Sequence, residues 1–246
     1  MAQELINFLY GIKENIPQVP RGYLDKAKFI GSCLDNIDVT RSQNFQDIWA
    51  AYENKFINDG FFVEFGATNG IDGSNTYFLE QELFWQGIVA EPNPAWHPQL
   101  NKNRLITRTK IVDKCVYTES GKQLEFVVTD EPDLATIKGY GLNDEHEEKR
   151  KNGKLITVET ISLYDMLISK KAPRFIEYMS VDTEGSEYDI LKAFFDRNDK
   201  YKIKCITVEH NFNEVNRNNL FSLLSSQGYV RKFTDISRWD DFYIKE

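Results

Sequence analysis

Short apolar runs that end in a carboxylate and pass into turn residues recur along the chain, with the acids at Glu64, Glu91, Asp113, Asp182 and Glu209. Phe61–Phe65 has the length and aromatic content of a strand buried on both faces. After it, glycines at 66, 70 and 73 permit backbone angles or close approaches that a side chain would forbid, so this turn is expected to hug a ligand. Tyr77, Phe78, Leu79, Leu83 and Phe84 then recur at helical spacing, and Gly87 stands where such a helix would stop. Upstream, Phe45, Ile48, Trp49, Tyr52 and Phe56 predict a helix capped by Ser42. Downstream, the prolines at 92 and 94 end a second strand at Glu91, and Leu105–Val112 reads as a third, stopped by Asp113. Tyr117–Val128, broken by the turn at Glu119–Gly121, reads as an antiparallel addition.

In the second half, Leu155–Ile161 alternates like a strand and Ser162–Ile168 supports a short helix. Ile176–Val181 and Lys204–Val208 are further apolar strands, each followed by a helix, the first burying Ile190, Leu191, Phe194 and Phe195. Tyr229–Phe233 and Asp241–Ile244 close the chain as a hairpin, which implies an antiparallel edge. The pattern predicts an α/β domain over 42–246 with a mostly parallel sheet, preceded by an appended, partly helical segment over 1–41. Between Asn143 and Lys154 there is no apolar residue, so a mobile lid is expected around 130–154, with His146 solvated in it.

Acids lined up along one carboxyl edge of a parallel sheet place a ligand there. Glu64 and the turn Gly66-Ala67-Thr68-Asn69-Gly70, with Ser74, Asn75 and Thr76 beyond it, form the candidate cradle. The GxxxG spacing differs from the GxGxxG of dinucleotide sites and suits S-adenosylmethionine. Glu91 and Pro92 close the second strand, where a carboxylate accepts two hydrogen bonds from a ribose diol, the plainer alternative being a loop acid that caps a helix. Asp113 and Cys115 follow the third strand, beside the expected adenine. Gln43, Gln46 and Asp47 are polar residues of the preceding helix that either reach the ligand or are merely solvated. Asp182, Glu184 and Glu187 crowd three acids into six residues, which calls for a positive group, either a sulfonium or a divalent metal. In the plainer reading Glu187 favours a helix N-terminus and Glu184 faces water.

The formal net charge of −8 argues against a nucleic-acid groove and favours a small substrate. Cys33, Cys115 and Cys205 are odd in number and form no CxxC pair, so neither a disulfide framework nor a zinc knuckle is indicated. With no long apolar stretch, neither a membrane partner nor a secretion signal is expected, and a cytoplasmic location fits.

Taken together, Ser42-Gln43, Gln46-Asp47, Phe62–Ala67, Ser74-Asn75-Thr76, Glu91-Pro92-Asn93-Pro94, Ser180–Glu187 and Gly228-Tyr229 resemble the FkbM family of S-adenosylmethionine-dependent methyltransferases, over roughly 42–246. The resemblance implies a class I, Rossmann-like seven-stranded sheet and methylation of a hydroxyl on a sugar or small metabolite. A nicotinamide-dependent oxidoreductase would need GxGxxG, and an inactive methyltransferase fold serving as a binding module would be marked by loss of Asp182 or Glu209, which are both present.

Asp182 and Glu209 end strands expected to be neighbours, with His210 and Asn211 next to Glu209. The arrangement is similar to the acid and acid–amide set that holds magnesium in catechol-type O-methyltransferases, so Asp182, Glu209, His210 and Asn211 are candidate ligands of magnesium or manganese. The departure is His210 between acid and amide, which could instead act as a general base without metal or fill a structural role.

Overall fold

The computed structural model describes residues 2–15, 21–104, 108–131, 134–141 and 147–245. The chain divides into two compact units, Met1–Val39 and Thr40–Glu246. The first carries α1 (Ala2–Asn15) and α2 (Arg21–Asp35). Thr40 opens the second because its hydroxyl donates to both Asp47 oxygens, at 2.8 and 2.9 Å, and so fastens it to the helix that follows.

That helix, α3 (Gln46–Glu53), begins differently from expectation. Phe45 precedes it in the left-handed conformation at φ 58°, and no side chain caps it. Ser42 instead donates to Asp47 Oδ1 at 2.6 Å, since the turn at Phe45 removes it from the capping position. Next come β1 (Phe61–Phe65), α4 (Tyr77–Leu83), β2 (Gln86–Ala90), α5 (His97–Arg104) and β3 (Lys110–Val112). Phe84, at φ 57°, ends α4, and Gly87 lies inside β2. A Cβ on Gly87 would stand 2.3 Å from the Phe62 ring and 2.4 Å from the Phe62 carbonyl, so this glycine serves strand packing. The expected start of the third strand falls at 105–107, outside the described residues.

The second half supplies β4 (Cys115–Tyr117), β5 (Gln123–Val128), β6 (Thr136–Ile137), α6 (Glu147–Lys151), β7 (Lys154–Ser162) and α7 (Leu163–Ser169). After these come β8 (Phe175–Val181), α8 (Glu187–Arg197), β9 (Lys202–Glu209), α9 (Glu214–Ser226), β10 (Val230–Lys232) and β11 (Asp240–Ile244). The main sheet has seven strands in the order β10-β11-β9-β8-β1-β2-β3. Pairing is parallel from β9 through β3, while β11 runs antiparallel to both β9 and β10. The C-terminal strand is thus the antiparallel one and lies one place in from the edge, which β10 occupies. Strand order reverses between β1 and β8, and a crevice opens beyond their carboxyl ends.

A smaller sheet, β4-β7-β5-β6, flanks that crevice. Only part of it is the antiparallel addition expected from sequence: β5 runs antiparallel to β6 and β7, but β4 pairs parallel with β7. The core lies between the main sheet and α7, α8 and α9, where Val63, Phe65, Met179 and Ile206 meet Met166, Leu191, Phe194 and Leu224. On the other face Trp49 of α3 stacks on Phe242 of β11 with ring centroids 4.9 Å apart. None of the three cysteines is in a disulfide. No helix among the described residues is long and apolar enough to cross a membrane.

Part of the expected lid, 132–133 and 142–146 with His146, lies outside the described residues. The rest is not wholly exposed, because Arg150 of α6 is buried. Its guanidinium donates to the carbonyls of Leu134 and Gly141 and pairs with Glu184, so a cation in an otherwise solvated run is drawn inward by a buried carboxylate.

Candidate functional site

A cavity of about 490 Å³ opens at the carboxyl ends of β1, β2, β8 and β9. Gly66, Thr68 and Gly73 line it after β1, Glu91 and Pro92 after β2, and Asp182 and Glu209 after β8 and β9. Cys115, Val116, Phe126, Leu134 and Ile137 give it an apolar side, and Gln43 and Trp239 also reach it.

The closeness of the glycine turn is spent largely on the protein itself. Gly66 has φ +84°, and a Cβ there would stand 2.2 Å from the Asp182 carbonyl oxygen, so it lets the ends of β1 and β8 meet. Gly70, at φ +82°, abuts Leu100 and Arg104 of α5 and does not face the cavity. Ala67 is buried with its N–H on the Ala90 carbonyl, and Asn69 folds back on Ile71 and Asp72. Glu64 accepts from Ser74 Oγ, from the Asn75 N–H at 2.7 Å and from Thr76 Oγ1 at 2.5 Å, with Arg104 at 3.5 Å. Arg104 also pairs with Glu80 and donates to the Gly70 carbonyl at 2.7 Å. Asn75 donates to Ser180 Oγ at 2.8 Å, and Gln46 donates to Asp240 at 2.9 Å.

Hence Gln46, Glu64, Ala67, Asn69, Gly70, Ser74, Asn75 and Thr76, expected as cofactor ligands, brace the turn and do not line the cavity. Glu64, Ser74 and Thr76 bond one another and Arg104, while Gln46, Asn69 and Asn75 are engaged by Asp240, by Ile71 and Asp72, and by Ser180. Asp113 is exposed and also lies outside the cavity wall. Of the expected set, the wall takes in Gly66, Thr68, Glu91, Pro92, Cys115 and Asp182.

Glu91 accepts the Thr68 N–H at 2.9 Å and the Asn93 N–H at 2.7 Å. Burial pushes its carboxyl up to about 7, against the pull of those two N–H groups. Burial, with the Glu91 charge beside it, pushes the Cys115 thiol up to about 12, which leaves it a poor nucleophile at neutral pH. At the other end, ligand oxygens of Asp182, Glu184 and Glu209 lie within 4.8 Å of one another. Burial first, then neighbouring acidic charge, that of Glu184 on Asp182 and that of Asp182 and Glu184 on Glu209, holds both well above the usual carboxylate range, although a hydrogen bond between the two carboxyls pulls Asp182 back. Glu209 Oε2 is buried and has no hydrogen-bond partner among the described residues.

The metal set expected from sequence is therefore altered. Glu184 takes the place expected for His210, and Asn211 donates to Glu184 at 2.9 Å. The His210 side chain is fully buried, and its Nδ1 accepts the Phe212 N–H at 3.1 Å, which puts its proton on Nε2, 3.9 Å from Asp241. Burial pulls its pKa below the usual imidazole value, so it stands neutral, and it borders a neighbouring cavity with its Nε2 lacking a hydrogen-bond partner among the described residues. Arg104 and Arg150 were not singled out from sequence. Arg150 sits in a run with no apolar residue and Arg104 among the polar residues just before an apolar run, so neither shows from pattern that it is buried, whereas Glu184 carries a signal in the crowding of acids over 182–187.

Residues 64–237, well over half of the chain, match the Methyltransferase FkbM domain. The chain belongs to the FkbM methyltransferase family. Among solved structures it is similar to the FkbM methyltransferase of Methylobacillus flagellatus KT, at 12% identity and a TM-score of 0.45, covering 96% of this chain and 60% of that one. A precorrin-6y C5,15-methyltransferase from Geobacter metallireducens GS-15 aligns at 10% identity and a TM-score of 0.40, over 81% of this chain and 87% of that one. A putative rRNA methylase from Clostridium thermocellum does so at 10% and 0.43, over 84% and 99%. No curated protein matches. Membership of the FkbM family implies S-adenosylmethionine as methyl donor. The cavity suits such a ligand, with an apolar side for a base, the Glu91 acceptor for a diol and the close-set carboxyls of Asp182 and Glu209 for a sulfonium.

Proposed function

We propose that the chain transfers a methyl group from S-adenosylmethionine to a hydroxyl of a small acceptor, a sugar or related metabolite. The observation that carries this reading is Glu209, which lines the first cavity and a second of about 470 Å³ and keeps a buried oxygen without a hydrogen-bond partner among the described residues. When bound, the donor supplies an electrophilic methyl group on a sulfonium. Glu91 and the Thr68 backbone would hold the donor's ribose side, and Gly73, Pro92 and Cys115 its surroundings. Glu209 would accept the proton of the acceptor hydroxyl as a general base, since an alcohol is a poor nucleophile at neutral pH. Burial, and then Asp182 beside it, raise its basicity, and a cationic ligand next to the pair favours the ionised form that the base needs. The net charge of −8 fits a small acceptor better than a nucleic acid.

A second reading rests on the same orphan oxygen. Asp182, Glu184 and Glu209 form an all-oxygen set of the kind that magnesium or manganese favours, and a cation held there would polarise the acceptor oxygen. The test of function is calorimetry with S-adenosylhomocysteine and with NAD, then donor turnover over a panel of hydroxylated metabolites. Binding of S-adenosylhomocysteine and its release on turnover are expected. A folded protein that binds NAD and not S-adenosylhomocysteine would overturn the reading.

A further inference from the structure

The second cavity shares Glu209 and Asn211 with the donor cavity. We infer that it is the acceptor subsite and that it selects a neutral, hydroxyl-rich ring, a glycosyl group, over anionic acceptors. This rests on the methyl-transfer reading above and adds where the acceptor sits and what charge it carries.

Three observations carry it. Asn211, Asn213, Asn216 and Asn219 all border the cavity, and the last three follow at three-residue spacing along one side of α9. A side-chain amide offers one carbonyl acceptor and two N–H donors, which suits neighbouring ring hydroxyls, each both donor and acceptor. Asn213 is partly committed as the cap of α9, its Oδ1 accepting the Asn216 N–H at 3.1 Å, and Asn216 donates one amide N–H to Glu187 at 3.4 Å, so the exposed Asn219 and the rest of the Asn216 amide are nearest to hand for a ligand.

The charge of the wall is one-sided. Glu187, Glu209 and the neutral His210 imidazole face the cavity, and no Lys or Arg borders it among the described residues. The nearby cations are turned to other work: Arg217 forks onto Asp241 at 2.9 and 3.0 Å, and Arg150 pairs with Glu184 and donates to the Gly141 carbonyl. A phosphate or carboxylate placed here would meet two carboxylates and no matching cation, a net repulsion inside a partly dry space. Finally, Tyr140 borders the cavity with its hydroxyl fixed between Tyr117, 3.0 Å away, and Asp189. Holding that hydroxyl fixes the ring, whose face can receive the C–H side of a sugar.

The test uses the full chain with S-adenosylmethionine and a panel of methyl hexosides, their 6-phosphates and the corresponding uronates, read as release of S-adenosylhomocysteine. Neutral glycosides are expected to exceed their anionic counterparts in kcat/KM by at least about tenfold. Asn216→Ala combined with Asn219→Ala should raise KM for the best glycoside about tenfold, with kcat and S-adenosylhomocysteine affinity unchanged. Because Asn219 is exposed, Asn219→Lys should fold normally, and it should narrow the preference against the 6-phosphates. An anionic best substrate, an unchanged KM in the double variant, or intact S-adenosylhomocysteine binding with no glycoside consumed would each overturn the subsite. Loss of S-adenosylhomocysteine binding in the folded wild-type chain would instead overturn the methyl-transfer reading beneath it.

Discussion

The carboxylate of Glu91 accepts the backbone N–H of Thr68 at 2.9 Å, tying the end of β2 to the left-handed corner of the turn after β1. The same carboxylate faces the donor cavity and is raised to about 7 by burial. In the folded chain without ligand it therefore takes up a proton as pH falls through about 7, well above the ordinary glutamate value of 4.5. Hydrogen bonds from a diol favour the ionised form, so ligand binding must release that proton below pH 7. S-adenosylhomocysteine affinity should rise with pH by up to about tenfold per unit below 7 and level off above it. Glu91→Gln should flatten the profile and weaken binding. Calorimetry across pH 5.5 to 8.5, in two buffers of different ionisation enthalpy, measures both the affinity and the proton released. For folding the sign runs the other way: the stability contributed by Glu91 is full below about 4.5 and lost as pH rises through about 7.

Gly66 should be intolerant of any side chain for a reason internal to the protein. Its left-handed φ of +84° and the Asp182 carbonyl 2.2 Å from a Cβ mean that alanine must part the ends of β1 and β8 or strain the turn. Gly66→Ala is expected to cost on the order of 3 kcal/mol of folding stability. Gly73 also has a positive φ, 72°, but nothing lies within 4 Å of its Cβ, so Gly73→Ala should cost only about 1 kcal/mol. Urea unfolding midpoints of the two variants measure the contrast.

Arg104 is fully buried, with Glu64 and Glu80 as ionic partners and Ser74, Thr76 and the Gly70 carbonyl as acceptors. It therefore couples α5 to the turn that shapes the donor cavity. Arg104→Met strands two buried carboxylates and should destabilise the chain by roughly 3–5 kcal/mol. Conversion of a partner, Glu80→Gln, should cost less, because it leaves Glu64 to balance the guanidinium. The unfolding free energies of the two variants and their combination form a cycle that measures the coupling.

The strands and their order of use were legible because apolar runs such as Phe61–Phe65 and Ile176–Val181 are buried on nearly every side, and burial is what hydrophobic pattern records. The acids at strand ends were legible for the same reason, as the first polar residue after each run. What pattern does not record is which way a polar side chain turns. Glu64 and Glu91 both close the apolar runs of adjacent parallel strands, yet Glu64 still lies within β1, opposite Val89, and turns toward Ser74, Asn75, Thr76 and Arg104, while Glu91 stands just past the end of β2 and turns to the cavity. That offset in register, and partners such as Arg104 that are distant in sequence, are not recorded in hydrophobic pattern. Arg150 escaped notice likewise, because a run without apolar residues still buries a cation where a carboxylate such as Glu184 waits for it.

The activation of the acceptor hydroxyl turns on Glu209. As a general base it must be ionised at the moment of attack, and its removal should cost about 10²–10⁴ in turnover. Glu209→Gln keeps the shape and cannot take the proton, so kcat should fall by that factor while S-adenosylhomocysteine affinity changes little. His210→Asn should be milder, because the imidazole is buried, neutral and bonded to the Phe212 N–H, and its loss should appear chiefly as lower stability. A chelator separates base from metal. If Glu209 works alone, prior treatment with chelator leaves turnover intact and the pH profile of kcat loses its acidic limb in Glu209→Gln. If a cation on Asp182, Glu184 and Glu209 polarises the acceptor oxygen, chelation abolishes turnover, magnesium or manganese restores it, and Glu184→Gln falls as far as Glu209→Gln. Since Glu184 already pairs with Arg150 and accepts from Asn211, the base-alone outcome is the one expected, with Glu184→Gln losing far less activity than Glu209→Gln.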